Sequence, residues 1–199
     1  MKFKFSIIVC IILLSCSKKE ESKTNKEVHL SPEVAIPYFD TTNTRIEKEI
    51  EKEVVAFQNK LNKESLTKPA IKFSIDTFKI ELKNRKRQEF DYSTQGMNNA
   101  VLDMIDEYKK LNDFYFTELL NLLEKEDKQV LINSQRDWLK FSESEFKLIE
   151  IMQNLKYNSG GSIQSNFAIT IYYEIIKSRT EQLFWHYNSI IDRQENYTK

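Results

Sequence analysis

The sequence predicts an all-α protein, an antiparallel helical bundle of about four to five helices. Three observations point there. The chain holds only 3 Gly and 3 Pro in 199 residues, too few for the tight turns of β-sandwiches and barrels. Its charged residues, 30 % of the chain, interleave Lys with Glu as solvated helix faces do. Apolar residues also return at three- and four-residue steps over long stretches, the spacing of one buried helical face. The same composition narrows the function. With 30 basic and 30 acidic side chains the formal net charge is zero, so no field steers the chain to nucleic acid. Scarce glycine argues against phosphate-cradling loops, and no P-loop, dinucleotide fingerprint or GxSxG elbow occurs.

The first residues form a separate object. Lys2 and Lys4 precede "FSIIVCIILL", an apolar run of about ten residues and too short to span a bilayer stably. Leu13-Leu14-Ser15-Cys16 follows, and then the polar "SKKEESKTNKE". Leu at −3, a small residue at −1 and Cys at +1 resemble a bacterial lipobox. That resemblance implies a signal peptide over 1–15, lipidation of the Cys16 thiol, and an address in the cell envelope, anchored to the membrane by lipid and facing the periplasm or the cell surface. Several acyl chains together anchor durably where one is marginal. Residues 16–40 then read as the lipidated cysteine and a flexible tether, with Glu20-Glu21 inside it. Cys10 leaves with the signal, so the mature domain has no thiol for a disulfide, a nucleophile or a metal site. Loss of Lys2 and Lys4 leaves 28 basic against 30 acidic residues.

The helices follow in order. The two prolines of "SPEVAIPYFD" favour extended or turned backbone. Thr44 is placed to cap a helix beginning at Arg45, with Ile46, Ile50, Val54, Phe57 and Leu61 on one face. Pro69 breaks it by keeping Lys68 out of helical geometry. "IKFSIDTFKIELKNRKRQEF" is ambiguous: Ile71, Phe73 and Ile75 alternate like a strand, while Ile75, Phe78 and Leu82 fit a helix capped by Asp76. The helix is preferred, because a lone strand has no partner in this chain. Its "NRKRQ" is the one basic cluster and reads as a solvated helix end. These pieces make a helical segment over 41–92, followed by a helical domain over 93–192. Thr94 is the expected N-cap of the next helix, whose stripe is Met97, Val101, Met104, Tyr108, Leu111, Tyr115, Leu119 and Leu122. A further helix carries Leu131, Trp138, Phe141, Leu148, Met152 and Leu155, with Phe146 off the seam. "YNSGGS" is the reverse turn of a hairpin. Ser162 then caps a last helix banded by Ile163, Phe167, Tyr172, Ile175, Leu183 and Ile190.

Few residues suggest chemistry. His29 lies in the tether and His186 near the C-terminus as a half-buried packing residue; neither has metal-ligand spacing, so no metal or other cofactor is expected. Glu143 and Glu145 are two apart and point differently on a helix. Glu118 and Glu174 would need the bundle to join them. No catalytic pair emerges, and the chain is not expected to be an enzyme. Arg179 interrupts the apolar band of the last helix, and Glu145 or Gln135 is placed to reach it from the helix before. A register-fixing polar contact is the plainer reading, and a polar notch for a partner is the functional one.

Read together, "STQGMNNAV", "LNDFY", "SQRDWLKFSESEF" and "SGGSIQSNFAITIYYEIIKSRTEQL" resemble the lysozyme inhibitor LprI N-terminal domain family. The pattern falls on Thr94, Met97 and Asn98; on Leu111, Asn112 and Tyr115; on Gln135, Arg136, Trp138 and Leu139. The last hairpin supplies Gly160, Gly161, Ser162, Arg179 and Leu183. Many members carry cysteines where Ala100, Phe146 and Ile171 stand here, and an arginine where Ser142 stands. Apolar residues at those three places lead one to expect helix packing in the role of the disulfides. The resemblance implies a small helical secreted or lipid-anchored domain, of which one named member inhibits lysozyme. Such inhibition needs no catalytic residue, only occlusion of a cleft. The expected partner is therefore a lysozyme-like muramidase. It would be met by the acidic faces of helices 45–64 and 95–125, or by the "YNSGGS" tip. The alternative is an envelope scaffold or adaptor for another protein, which an exposed apolar groove would favour.

Overall fold

The computed structural model describes residues 37–161 and 163–197, with side chains described over 44–161 and 164–196. The signal, Cys16, His29, the tether to residue 36 and the Ser162 cap lie outside the described residues. Five helices make up the described fold, with no strand among these residues: α1 (Pro37–Leu61), α2 (Lys68–Phe90), α3 (Thr94–Leu122), α4 (Lys125–Met152) and α5 (Ile163–Tyr197). Residues 36–199 form one compact unit. It holds both apolar cores, as an independently folding domain does.

Short connections set the directions. Phe57 stacks on Phe78 with ring centroids 4.3 Å apart, and Lys86 reaches back to Glu53 at 3.2 Å, so α1 and α2 are antiparallel. The Tyr108–Glu81 hydrogen bond and the Arg87–Asp103 ion pair set α2 against α3 in the same way. α4 spans the length of the bundle and returns the chain, so α3 and α5 lie side by side and parallel. Asn98 meets Ser165, Asn112 meets Thr180 and Glu118 meets Tyr187. This parallel pair is the tightest in the fold. One core gathers Val101, Met104, Ile105 and Tyr108 of α3 with Tyr173 and Ile176 of α5. A second gathers Tyr115, Leu119, Leu183 and Phe184, with Phe73 of α2 stacked on Phe184 at 3.9 Å. α4 contributes little to either. Only Gln135, Ser142 and Ile149 of its 28 residues are buried, against nine buried residues on α3.

Several sequence expectations need correction. α1 begins at Pro37 rather than Arg45, and Thr44 lies inside it instead of capping it. A proline is tolerated in the first helical turn, where its missing N–H would have no partner anyway. The same reason explains Pro69. It sits in the first turn of α2, which starts at Lys68 and is capped by Thr67, whose hydroxyl accepts from the Ala70 amide at 3.2 Å. Asp76 is mid-helix and pairs with Lys72. Ser93, not Thr94, caps α3, accepting from the Gly96 amide at 3.0 Å.

The inward face of α4 departs furthest from the sequence expectation. Phe141, Leu148, Met152 and Leu155 are exposed, Leu155 by 77 %. Leu131, Gln135, Trp138, Ser142, Phe146 and Ile149 point inward instead. Polar residues won that face because their hydrogen bonds are satisfied there, and adjacent positions such as Phe141 and Ser142 lie about 100° apart. Phe146, expected off the seam, packs edge-to-face on Tyr172 at 4.6 Å. On α5, Phe167 is exposed, and Ala168, Tyr173, Ile176, Thr180 and Phe184 join Leu183 in the buried band. Of the three positions where cysteine was expected in relatives, Ala100 is buried and Phe146 packs, while Ile171 faces solvent.

Candidate functional site

The buried polar residues form layers along the α3–α5 seam. Near the start of α3, the Asn98 amide donates to Ser165 at 2.9 Å and accepts from Asn166 at 3.0 Å. One layer further, Glu81 of α2 reaches over this seam. Its Oε1 accepts from Tyr108 at 2.9 Å, Tyr173 at 3.3 Å and Lys177 at 2.8 Å. Burial works against the charge on Glu81, but these donors outweigh it and hold the carboxyl below its ordinary value. Burial likewise opposes the charge on Lys177, and the Glu81 oxygen overrides it, so the ammonium titrates above its usual range. The Tyr108 phenol is pushed up, first by burial and then by its neighbours Tyr173 and Glu81.

The middle layer joins three helices. Arg179 of α5 is only 8 % exposed. Its Nε donates to Gln135 Oε1 at 2.9 Å, one terminal nitrogen to Ser134 Oγ at 3.1 Å, and the other to Gln182 at 3.4 Å. The guanidinium also lies 6.0 Å from the Trp138 ring centroid. Gln135 in turn donates through Nε2 to Asn112 Oδ1 at 2.8 Å, and Asn112 Nδ2 stands 3.5 Å from the fully buried Thr180 hydroxyl. That hydroxyl is 2.9 Å from the Ile176 carbonyl and 3.2 Å from the Tyr108 carbonyl. The result is a head-to-tail chain from Arg179 through Gln135 and Asn112 to Thr180. Every member is neutral except Arg179, and no carboxylate faces the guanidinium among the described residues. Burial alone lowers the Arg179 pKa from its ordinary value.

Of the residues singled out in the sequence, Asn112, Gln135, Trp138 and Arg179 converge here. Tyr115, 1 % exposed, lies in the next layer, edge-on to Phe73 and Phe184, with its hydroxyl unpartnered among the described residues. Others stay apart. Thr94 and Met97 are half-buried at the start of α3, and Arg136 is exposed, bonded to its neighbour Asp137. Glu145 lies ten residues beyond Gln135, about 15 Å along the α4 axis, so Gln135 alone of the two proposed partners meets Arg179. Gly160 and Gly161 shape the α4–α5 turn, with φ of 79° and 103° that other residues rarely adopt. His186, expected half-buried, is exposed. Glu118 serves the Tyr187 hydroxyl at 3.4 Å. Ser142 is buried with its hydroxyl on the Leu139 carbonyl at 2.9 Å, so the inward position holds a short polar side chain.

The layers centred on Glu81 and Asn98, and the parts played by Ser134 and Thr180, were not read from the sequence. A signal was present for some of them. Asn98, Val101, Ile105, Tyr108, Asn112, Tyr115 and Leu119 recur at alternating three- and four-residue steps. Two asparagines on an otherwise apolar seam mark buried hydrogen bonds. Nothing local marks Glu81, which sits among five nearby charges and gains its role from α5.

Comparison with known proteins adds one match. No curated protein and no solved structure matches the chain. One family model does match, that described as lysozyme inhibitor LprI, over residues 85–183. The matched segment runs from the end of α2 to Leu183 of α5 and includes the polar chain from Arg179 to Thr180. Over this segment the chain matches the lysozyme inhibitor LprI family.

Proposed function

We propose that this protein is a lipid-anchored component of a bacterial cell envelope whose helical domain binds a lysozyme-type muramidase and blocks its cleft. The family match over residues 85–183 carries the reading. The lipobox-like Leu13-Leu14-Ser15-Cys16 supports the anchor, and no described helix is long and apolar enough to cross a membrane. Binding rather than catalysis is the action proposed, as fits an inhibitor family.

The shape and exposed side chains of the α4–α5 turn favour it as the contact over the acidic helix faces. On α3, Asp103, Asp106 and Glu107 are each paired with a nearby Arg or Lys. On α1, Glu49 and Glu53 are paired with Lys86. These pairs neutralise part of each face, while the exposed Glu47, Glu51 and Asp113 make no ion pair among the described residues. The turn instead presents Leu155, 77 % exposed, and Tyr157, 54 % exposed, on a short loop held by the two glycines. A protruding turn enters a cleft where a flat helix face does not, and aromatic side chains such as Tyr157 are common anchors of such contacts.

The test is a lysozyme activity assay titrated with the chain from Ser17 onward, at low and physiological salt. Inhibition with a dissociation constant of about 1 μM or tighter, lost in the Leu155→Ser/Tyr157→Ser variant and changing little with salt, is the expected result. A folded sample that leaves lysozyme fully active removes that enzyme as the target. The adaptor reading has its own observation: Phe141, Leu148 and Met152 form an exposed apolar stripe along α4 at seven- and four-residue steps. A partner recovered on that stripe, without lysozyme inhibition, would decide for it.

A further inference from the structure

The polar chain ends at a groove. Between the first half of α4 and the second half of α5 lies a cleft of about 470 Å³, within the range of small-molecule sites. Leu119, Leu131, Leu183 and Ile190 supply apolar surface, and Arg179 lines the groove together with Arg193. Asp127 is the one acidic side chain lining it, and Arg193 makes no ion pair among the described residues. The guanidinium of Arg179 carries five N–H groups. Three are taken by Gln135, Ser134 and Gln182, all neutral, which leaves two N–H groups and a buried positive charge without a counter-ion. A buried cation without an anionic partner is normally avoided. Here it stands beside an apolar trough. From Leu183 to Ile190 that trough runs about 10 Å along α5, the reach of a medium-length acyl chain.

We propose that this groove binds a small amphiphilic carboxylate, with its head on Arg179 and its aliphatic tail along Leu183 and Ile190. The walls favour an acyl chain over an extended peptide. They are helices, whose backbone groups are already bonded internally, so a strand laid between them would leave its own N–H and C=O groups unmatched. An acyl chain brings no such groups. Arg193 at the outer end adds positive potential that draws an anion in. The site stands apart from the α4–α5 turn at the opposite end of α4, and does not depend on what that turn contacts.

Three ligands that share one tail and differ in head charge test the assignment: octanoate, octan-1-ol and octylammonium, titrated into residues 36–199. Binding is followed by nuclear magnetic resonance of the Arg179 Nε–H and of the methyl groups of Leu119, Leu183 and Ile190. Octanoate is expected to saturate with a dissociation constant of about 0.1–1 mM for a ligand of this size. Octanol should bind about tenfold more weakly and octylammonium more weakly still. Ser189→Trp, an exposed position on the groove wall, should abolish octanoate binding while leaving helical content unchanged. Arg179→Gln, where it folds, should bring octanoate and octanol to equal affinity. The proposal is overturned by equal binding of the three ligands to the unaltered chain, or by octanoate binding that survives Ser189→Trp. Absence of saturable shifts at about ten times the expected dissociation constant also overturns it.

Discussion

Replacing Gln135 by alanine removes one side chain and strands two others. Gln135 is 8 % exposed and gives one hydrogen bond to Asn112 while receiving one from Arg179. In Gln135→Ala the Asn112 oxygen loses its donor and the Arg179 Nε–H loses its acceptor, with no other listener in either case among the described residues. An orphaned buried polar group costs about 1–3 kcal/mol, and a charged one lies at the upper end. The expected loss is therefore about 3–5 kcal/mol, a large share of the about 5–15 kcal/mol that holds a typical domain. At this chain length it lowers the thermal midpoint by about 6–20 °C. Asn112→Ala, which orphans mainly the Gln135 donor, should cost about 2 kcal/mol. The double variant should cost about 1–2 kcal/mol less than the two singles added, because they share one broken bond. Urea denaturation followed by circular dichroism on residues 36–199 gives all four values, provided the slopes agree. A Gln135→Ala cost within about 1 kcal/mol of zero, or strict additivity, would refute the view that this chain of amides is a connected unit.

Three further outcomes follow from the same structure. Tyr115→Phe removes a buried hydroxyl with no partner among the described residues, so it should be neutral or stabilise by up to about 1 kcal/mol in the same urea experiment. Phe141→Ser, at a position 52 % exposed, should change stability by no more than about 0.5 kcal/mol, in contrast to any buried aromatic. Glu81 has a folded-state pKa below its ordinary value of 4.5. Its contribution is present above that value and disappears as pH falls through the lowered one. Acid titration of stability should therefore show less loss below pH 4.5 for Glu81→Gln than for the unaltered chain.

Much of the helical architecture was legible because it rests on short-range physics. The three- and four-residue spacing of α1, α3 and α5, the proline and glycine punctuation and the Gly160-Gly161 turn all state local preferences. Start positions were harder to read, because prolines and hydroxyl residues near a helix start admit more than one register. Thr44, Lys68 and Thr94 each illustrate this by one residue or several. The inward face of α4 was illegible for a different reason. Its apolar residues announce one face, whereas Gln135 and Ser142 occupy another, and only partners on α3 and α5 make burial of those polar groups affordable. The site followed the same rule. Arg179 and Gln135 could be paired from sequence because they interrupt regular stripes, while Glu81 became visible only when α5 came to rest beside α2.

The uneven burial of the helices has a consequence for motion. α3 and α5 hold each other through two apolar cores, so the amide protons at their centres are expected to be the slowest to exchange with solvent. α4 is held by Ile149, half-buried Leu131, Trp138 and Phe146, and the hydrogen bonds that Gln135 makes to Asn112 and Arg179. With three buried residues against nine on α3, it is expected to open at a lower free energy than global unfolding, which amide exchange would read. Each lifting would admit water to Arg179 and hydrate its charge. The helix that carries one wall of the groove would then also be its door, and the lifetime of a ligand bound against Arg179 would follow how often α4 opens.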